Sequence, residues 1–135
     1  MNSSLPARLV LVTAGGAIGT AARIGLGLAL PAPATTGIGT IPWATLIANV
    51  VGAFLIGVLA ARLPGSSSRR LFLGTGVLGG FTTYSSFAVG SVTLWHASPW
   101  LAAGYAIGSL VVGLAAAALG LAIARPRRPH AQVRG

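Results

Sequence analysis

A handful of polar and aromatic residues interrupt long apolar runs, and their types suit the handling of a small ion. Asn49 lies in the middle of TLIANVVGAFLIG. A buried amide needs partners or water, and its two N–H donors suit an anion. Thr45 sits one turn earlier on the same helical face. Such amides also serve as glue between membrane helices. Tyr84 and Phe87 are three apart in GVLGGFTTYSSFAVG and share a face. Ring edges carry partial positive charge, so edge-on rings can line a path for an anion; the same spacing also serves plain packing. Tyr105 and Ser109 place two hydroxyls on one stripe that Gly113 continues, although serines in membrane helices commonly bond back to backbone. Arg23 lies within an apolar run, where a charge is costly and marks a functional site by default; snorkelling outward as an anchor is the alternative. Gly79-Gly80 followed by Thr82-Thr83 invites an interrupted helix. The carbonyls freed at such a break must find an ion, water or another chain, and they suit a hard cation.

What is absent narrows the chemistry further. The chain has 135 residues and no Asp, Glu, Lys or Cys. Carboxylate general bases and acidic metal cages are therefore excluded, as are disulfides and thiolate sites. A proton-coupled carrier normally keeps an intramembrane acid as its relay. Any titratable relay would fall to His96 or His130, and both are placed outside the hydrocarbon. With no nucleophile–base set, an enzyme is not expected. The net charge of +9 does not point to nucleic acid, because the arginines sit beside apolar segments and not on a basic face interleaved with aromatics.

These residues must be held by membrane helices. Mean hydropathy is +0.84, and four apolar stretches each approach the roughly 20 residues needed to cross a bilayer. They run over about residues 9–30, 42–61, 71–94 and 100–124. PAPATTGIGTI, RLPGSSSRR and WHASP connect them, and Pro42 suits the first turn of the second helix. The first stretch is too long for the core of a signal peptide and is read as a retained helix. The expected organisation is a cytoplasmic N-terminus over 1–8, a four-helix transmembrane channel domain over 9–124, and a disordered cytoplasmic tail over 125–135. Arg8, Arg62, Arg69, Arg70, Arg125, Arg127, Arg128 and Arg134 all fall on one side, and the first and third loops carry no arginine. Cytoplasmic loops are rich in basic residues, so both termini are expected inside a plasma membrane crossed several times. Trp43, Trp95 and Trp100 fall at the opposite face, as an interfacial belt does. Gly15/Gly19, Gly76/Gly80 and Gly104/Gly108 have the spacing that lets helices approach closely in lipid. Four short helices make a thin wall for a pore, which points to an oligomer.

Together, GGAIGTAAR, PWATLIANVVGAFLIG, GVLGGFTTYSSF and YAIGS resemble the CrcB/Fluc family of fluoride channels, from Gly15 to about Gly120. The third motif is the most specific. The resemblance implies passive fluoride export from an antiparallel dimer with two pores and a structural sodium ion at its centre. It implies that Asn49 contacts fluoride, that Tyr84 and Phe87 occupy two aromatic box positions, and that Thr45, Tyr105 and Ser109 line a polar track. It places Arg23 by an aqueous vestibule, and main-chain oxygens of Gly79 and Thr82 from both subunits on the sodium. Two departures stand out: Tyr84 where Phe is usual, and Gly113 where Ser often occurs. A small multidrug-type exporter is the rival reading, but that class needs a membrane carboxylate. A non-conducting partner subunit is another. The arginine bias favours one insertion direction, so the native partner is expected to be a homologous chain of opposite topology.

Overall fold

The computed structural model describes residues 4–34 and 37–126. Its regular elements are all helical. Helix α1 spans Leu5–Ala29, a short 3-10 turn spans Gly37–Thr40, and α2 spans Trp43–Arg62. The third span is built in two pieces. Its first half, α3, covers residues 68–81 and consists of an α-turn at Ser68–Arg70, a π-helical stretch at Leu71–Leu78 and an α-turn at Gly79–Phe81. Thr82 and Thr83 are extended, and α4 then runs over Tyr84–Ala97. The last helix, α5, spans Pro99–Ala124. Helices α1, α2 and α5 are each long and apolar enough to cross a membrane, while the third crossing needs both α3 and α4. The chain is thus a multi-pass membrane protein with four spans, the third of them bent.

Several boundaries differ from expectation for local reasons. Helix α1 starts at Leu5 because Pro6 falls in its first turn, where a missing N–H costs nothing; Arg8 is therefore helical and not part of a terminal segment. Pro42 is the residue before α2, with ψ 75°, and not a first-turn residue. That role falls to Pro99, behind Ser98, whose hydroxyl accepts from the Leu101 N–H. Ser98 alone separates α4 from α5. The tail expected to be disordered, with Arg127, Arg128, His130 and Arg134, lies mostly outside the described residues.

Small residues set the packing. A Cβ on Gly19 would strike the Val77 carbonyl and lie 2.8 Å from the Phe81 nitrogen, and one on Gly15 would lie 2.9 Å from the Gly76 Cα. One on Gly80 would strike the Gly16 carbonyl. Two of the three glycine pairs therefore mesh with each other, backbone on backbone, and join α1 to α3. Gly57 against Ala117 and Gly120 against Phe54 join α2 to α5 in the same way. The Arg62 Nε donates to the Ala124 carbonyl at 2.6 Å, capping the C-terminal end of α5 with a cation. Leu94, Ala102 and Tyr105 form a buried cluster flanked by Ile41, Leu46, Phe87 and Leu101, which fastens α4 onto α5. The remaining apolar side chains largely face outward, as lipid-facing helices do.

Candidate ion pathway at the helix break

The break falls at Thr82-Thr83 and not at the glycines before it. Gly79 and Gly80 keep helical backbone, while Thr82 adopts φ −80°, ψ 157° and Thr83 φ −150°, ψ 122°. Side chains of the break itself, of α2 and of α1 hold this segment. The Thr82 hydroxyl donates to the Leu78 carbonyl at 2.9 Å, and its N–H reaches the same carbonyl. The Thr83 hydroxyl caps α4, accepting the Ser86 N–H at 3.2 Å. From α2, Asn49 grips both backbone groups of Thr83: its Nδ2 donates to the Thr83 carbonyl at 3.0 Å, and its Oδ1 accepts the Thr83 N–H at 2.8 Å. From α1, the Arg23 Nε donates to the Gly80 carbonyl at 3.2 Å, supplemented by a long contact of 3.5 Å from the Thr20 hydroxyl.

These bonds redirect the donors that a continuous helix would have used. An α-helix sends each N–H to the carbonyl four residues earlier. The Thr83 N–H, due to Gly79, goes to Asn49, and the Ser86 N–H, due to Thr82, goes to the Thr83 hydroxyl. The carbonyls of Gly79 and Thr82 thus lose their helical partners. Gly79 and Thr82 also line one cleft of about 270 Å³ between α2 and α3, together with Asn49, Gly52 and Leu78. Two neutral carbonyl oxygens beside a cleft are donors of the kind that suits a hard cation.

On the other side of the break, Asn49, Thr82, Thr83, Tyr84, Phe87, Ser109 and Leu110 enclose a second cleft of about 310 Å³. Tyr84 stands 81% exposed at its edge. Its ring lies 6.1 Å from that of Phe87, tilted by 39°, and Phe87 stacks on Tyr105 at 5.5 Å. The Tyr105 and Ser109 hydroxyls are buried without a hydrogen-bond partner among the described residues. Buried polar atoms left unpaired are rare and call for a water, an ion or a function. Ser109 also lines a neighbouring cleft of about 290 Å³ with Tyr105, Gly108, Trp43 and Trp100. A line of clefts therefore runs from the helix break to the tryptophan level, past two hydroxyls available as donors.

The structure thus brings Asn49, Tyr84, Phe87 and Ser109 to one cleft, with Tyr105 joined through its stack on Phe87. Thr45 is half-buried one turn from Asn49 and is not among the residues lining that cleft. Arg23 is set apart from it as well, on the α1–α3 contact. Gly113 has open space where a side chain would be. Thr83 was read in the sequence only as part of the break; a Thr three residues before Ser86 at a helix start is an N-cap signature that could have revealed it. The pairing of Thr83 with Asn49 had no local signal.

Known proteins share most of the length of this chain. The CrcB-like protein family, Camphor Resistance (CrcB), matches residues 10–121. The chain is 46% identical over 125 residues to the fluoride-specific ion channel FluC of Agrobacterium fabrum, covering 87% of this chain and 95% of that protein. It is 45% identical over 123 residues to the fluoride-specific ion channel FluC 1 of Mycobacterium tuberculosis, covering 87% and 89%. Similarity of this extent along nearly the whole of both chains means that the protein belongs to the CrcB family of ion channels and is not an enzyme.

Proposed function

We propose that this protein conducts fluoride passively out of the cell, and so relieves fluoride toxicity. The observation that carries the reading is the cleft at the helix break, where an amide, two aromatic rings and the Ser109 hydroxyl, unpaired among the described residues, meet in a chain without any acidic residue. An anion leaving water must exchange hydration for donors of comparable strength. Ser109 and Tyr105 offer O–H groups. The amide of Asn49 keeps a second N–H beyond the one given to Thr83. The rings of Tyr84 and Phe87 offer positive edges, which attract an anion weakly enough to release it. No carboxylate stands nearby to repel an anion or to carry a coupled proton, which supports passive flow. The similarity to fluoride-specific ion channels supports fluoride as the ion.

The working unit is proposed to be an antiparallel dimer, in which a second subunit completes the walls left open at Tyr84 and along the two clefts beside Asn49. Sodium, when bound, supplies a fixed positive charge at the break, and the Gly79 and Thr82 carbonyls of this chain are the groups that hold it. Thr45 and Arg23 are assigned to the approaches of the path. Both termini are assigned to the cytoplasm, because every arginine outside the spans falls on that side. The same bias makes a homologous chain of opposite topology the native partner.

The test is efflux from liposomes holding fluoride, with voltage clamped by a potassium ionophore. The purified protein, alone or with its partner chain, is expected to release fluoride and retain chloride. Equal efflux of the two anions would refute selectivity. Absence of fluoride efflux even with the partner present would make this chain a non-conducting subunit.

A further inference from the structure

We infer that Asn49 joins the two ion sites: by taking the Thr83 N–H away from Gly79, it is the positioning residue that keeps the Gly79 carbonyl available for a cation. The inference rests on the sodium reading above and extends it to a side chain outside the pair of carbonyls assigned to the cation. Asn49 lines both the cleft shared with Gly79 and Thr82 and the cleft shared with Tyr84, Phe87 and Ser109. Its side chain spans 34 positions in sequence to form two bonds, at 3.0 and 2.8 Å, with a single residue. Those bonds occupy both backbone groups of Thr83. Without them the Thr83 N–H lacks a partner in an apolar setting, where an unmade hydrogen bond is costly. The nearest remedy is the α-helical one, a bond to the Gly79 carbonyl. The glycines at 79 and 80 already have helical backbone, so extending α3 needs a rotation at Thr82 and Thr83 alone, whose ψ angles of 157° and 122° must turn into the helical region. That rotation takes away a cation ligand and swings the start of α4, with Tyr84 and Phe87, out of the anion cleft. One amide therefore holds the cation ligand and the aromatic pair in a common register.

The two atoms of the amide have separable parts. Oδ1 holds the Thr83 N–H and so governs the Gly79 carbonyl; Nδ2 holds the Thr83 carbonyl and offers its remaining proton to an anion. Asn49→Asp keeps the acceptor and loses the donors. Asn49→Ala loses both.

The experiment follows thermal melting of the purified full-length protein in detergent as sodium chloride replaces N-methylglucamine chloride, alongside fluoride efflux from liposomes. A bound cation stabilises the native form by mass action. In Asn49→Ala the sodium concentration for half-maximal stabilisation is expected to rise by about 10- to 100-fold, the usual effect of losing a group that orients a metal ligand. Asn49→Asp is expected to keep the sodium response and to lose fluoride efflux, because its carboxylate repels the anion. Ser109→Ala, which touches only the anion side, is expected to melt with a normal sodium response. A wild-type sodium response in Asn49→Ala, or its loss in Asn49→Asp, overturns the inference. The second arm decides the matter where Asn49→Ala does not purify. A wild-type protein indifferent to sodium overturns the sodium reading itself, and this inference with it.

Discussion

Gly19→Ala should disable the protein from a distance, through the contact between α1 and α3. The added methyl group would strike the Val77 carbonyl and stand 2.8 Å from the Phe81 nitrogen. Both neighbours are backbone, so no side chain can swing aside. Restoring ordinary contact at 3.4 Å requires α1 to retreat by 0.6 Å or more. The same shift carries the Arg23 Nε from 3.2 Å to about 3.8 Å from the Gly80 carbonyl, beyond hydrogen-bonding range. Overpacking of this kind costs about 1–3 kcal/mol, and a hydrogen bond from a charged group contributes about 1.5–3 kcal/mol. The expected destabilisation is therefore about 2–5 kcal/mol, allowing for the weaker net value of such bonds between membrane helices. Gly25→Ala is the matched control, since a methyl group there meets open space. Thermal melting and fluoride efflux should fall together in Gly19→Ala, with Gly25→Ala close to wild type. Equal melting of the two variants would refute the close-packing account of the α1–α3 pair and the coupling of Arg23 to the break.

Tyr105→Phe and Ser109→Ala each remove a buried hydroxyl with no partner within hydrogen-bonding geometry among the described residues. Relieving an unpaired polar group should leave melting unchanged or raise it, while a lost hydrogen bond to an anion, about 1.5–3 kcal/mol, should slow fluoride efflux by roughly 10- to 100-fold; unchanged efflux would remove both hydroxyls from the path. Single cysteines placed in the tail and in the first loop, probed in intact cells with an impermeant thiol reagent, should label at the loop alone. Comparable labelling at both would establish insertion in two directions and remove the need for a second chain.

The membrane class and the four spans were legible because they depend on local quantities. A run of about 20 apolar residues is long enough to cross a bilayer wherever it sits in the chain. Glycine spacing likewise foretold close approach, and the α1–α3 contact uses Gly15 and Gly19 against Gly76 and Gly80. It could not tell which pairs meet inside one chain: Gly104 and Gly108 have the same spacing, yet a Cβ at either meets nothing within 4 Å among the described residues. Nor did composition reveal the π-helical stretch at Leu71–Leu78, where apolar residues read alike in either helix form. Interruption of the third span was expected near the Gly79-Gly80 pair, yet the chain leaves the helix at two threonines. Glycine permits a break, but the break occurs where other groups accept the displaced backbone.

That distinction separates what the sequence determined from what only the tertiary structure decided. The absence of every acid, the length of the apolar runs and the bias of the arginines are properties of the chain in any conformation, and they already exclude carboxylate chemistry and demand a membrane. The part taken by Asn49 depends on a partner 34 residues away, and that of Arg23 on one 57 residues away. An isolated amide or guanidinium in an apolar helix must satisfy its donors somewhere, but its own helix cannot say where. Only packing α1 and α2 against the third span brings the Gly80 carbonyl and the Thr83 backbone within 3.2 Å of those groups. Those contacts turn two isolated polar residues into the supports of one helix break.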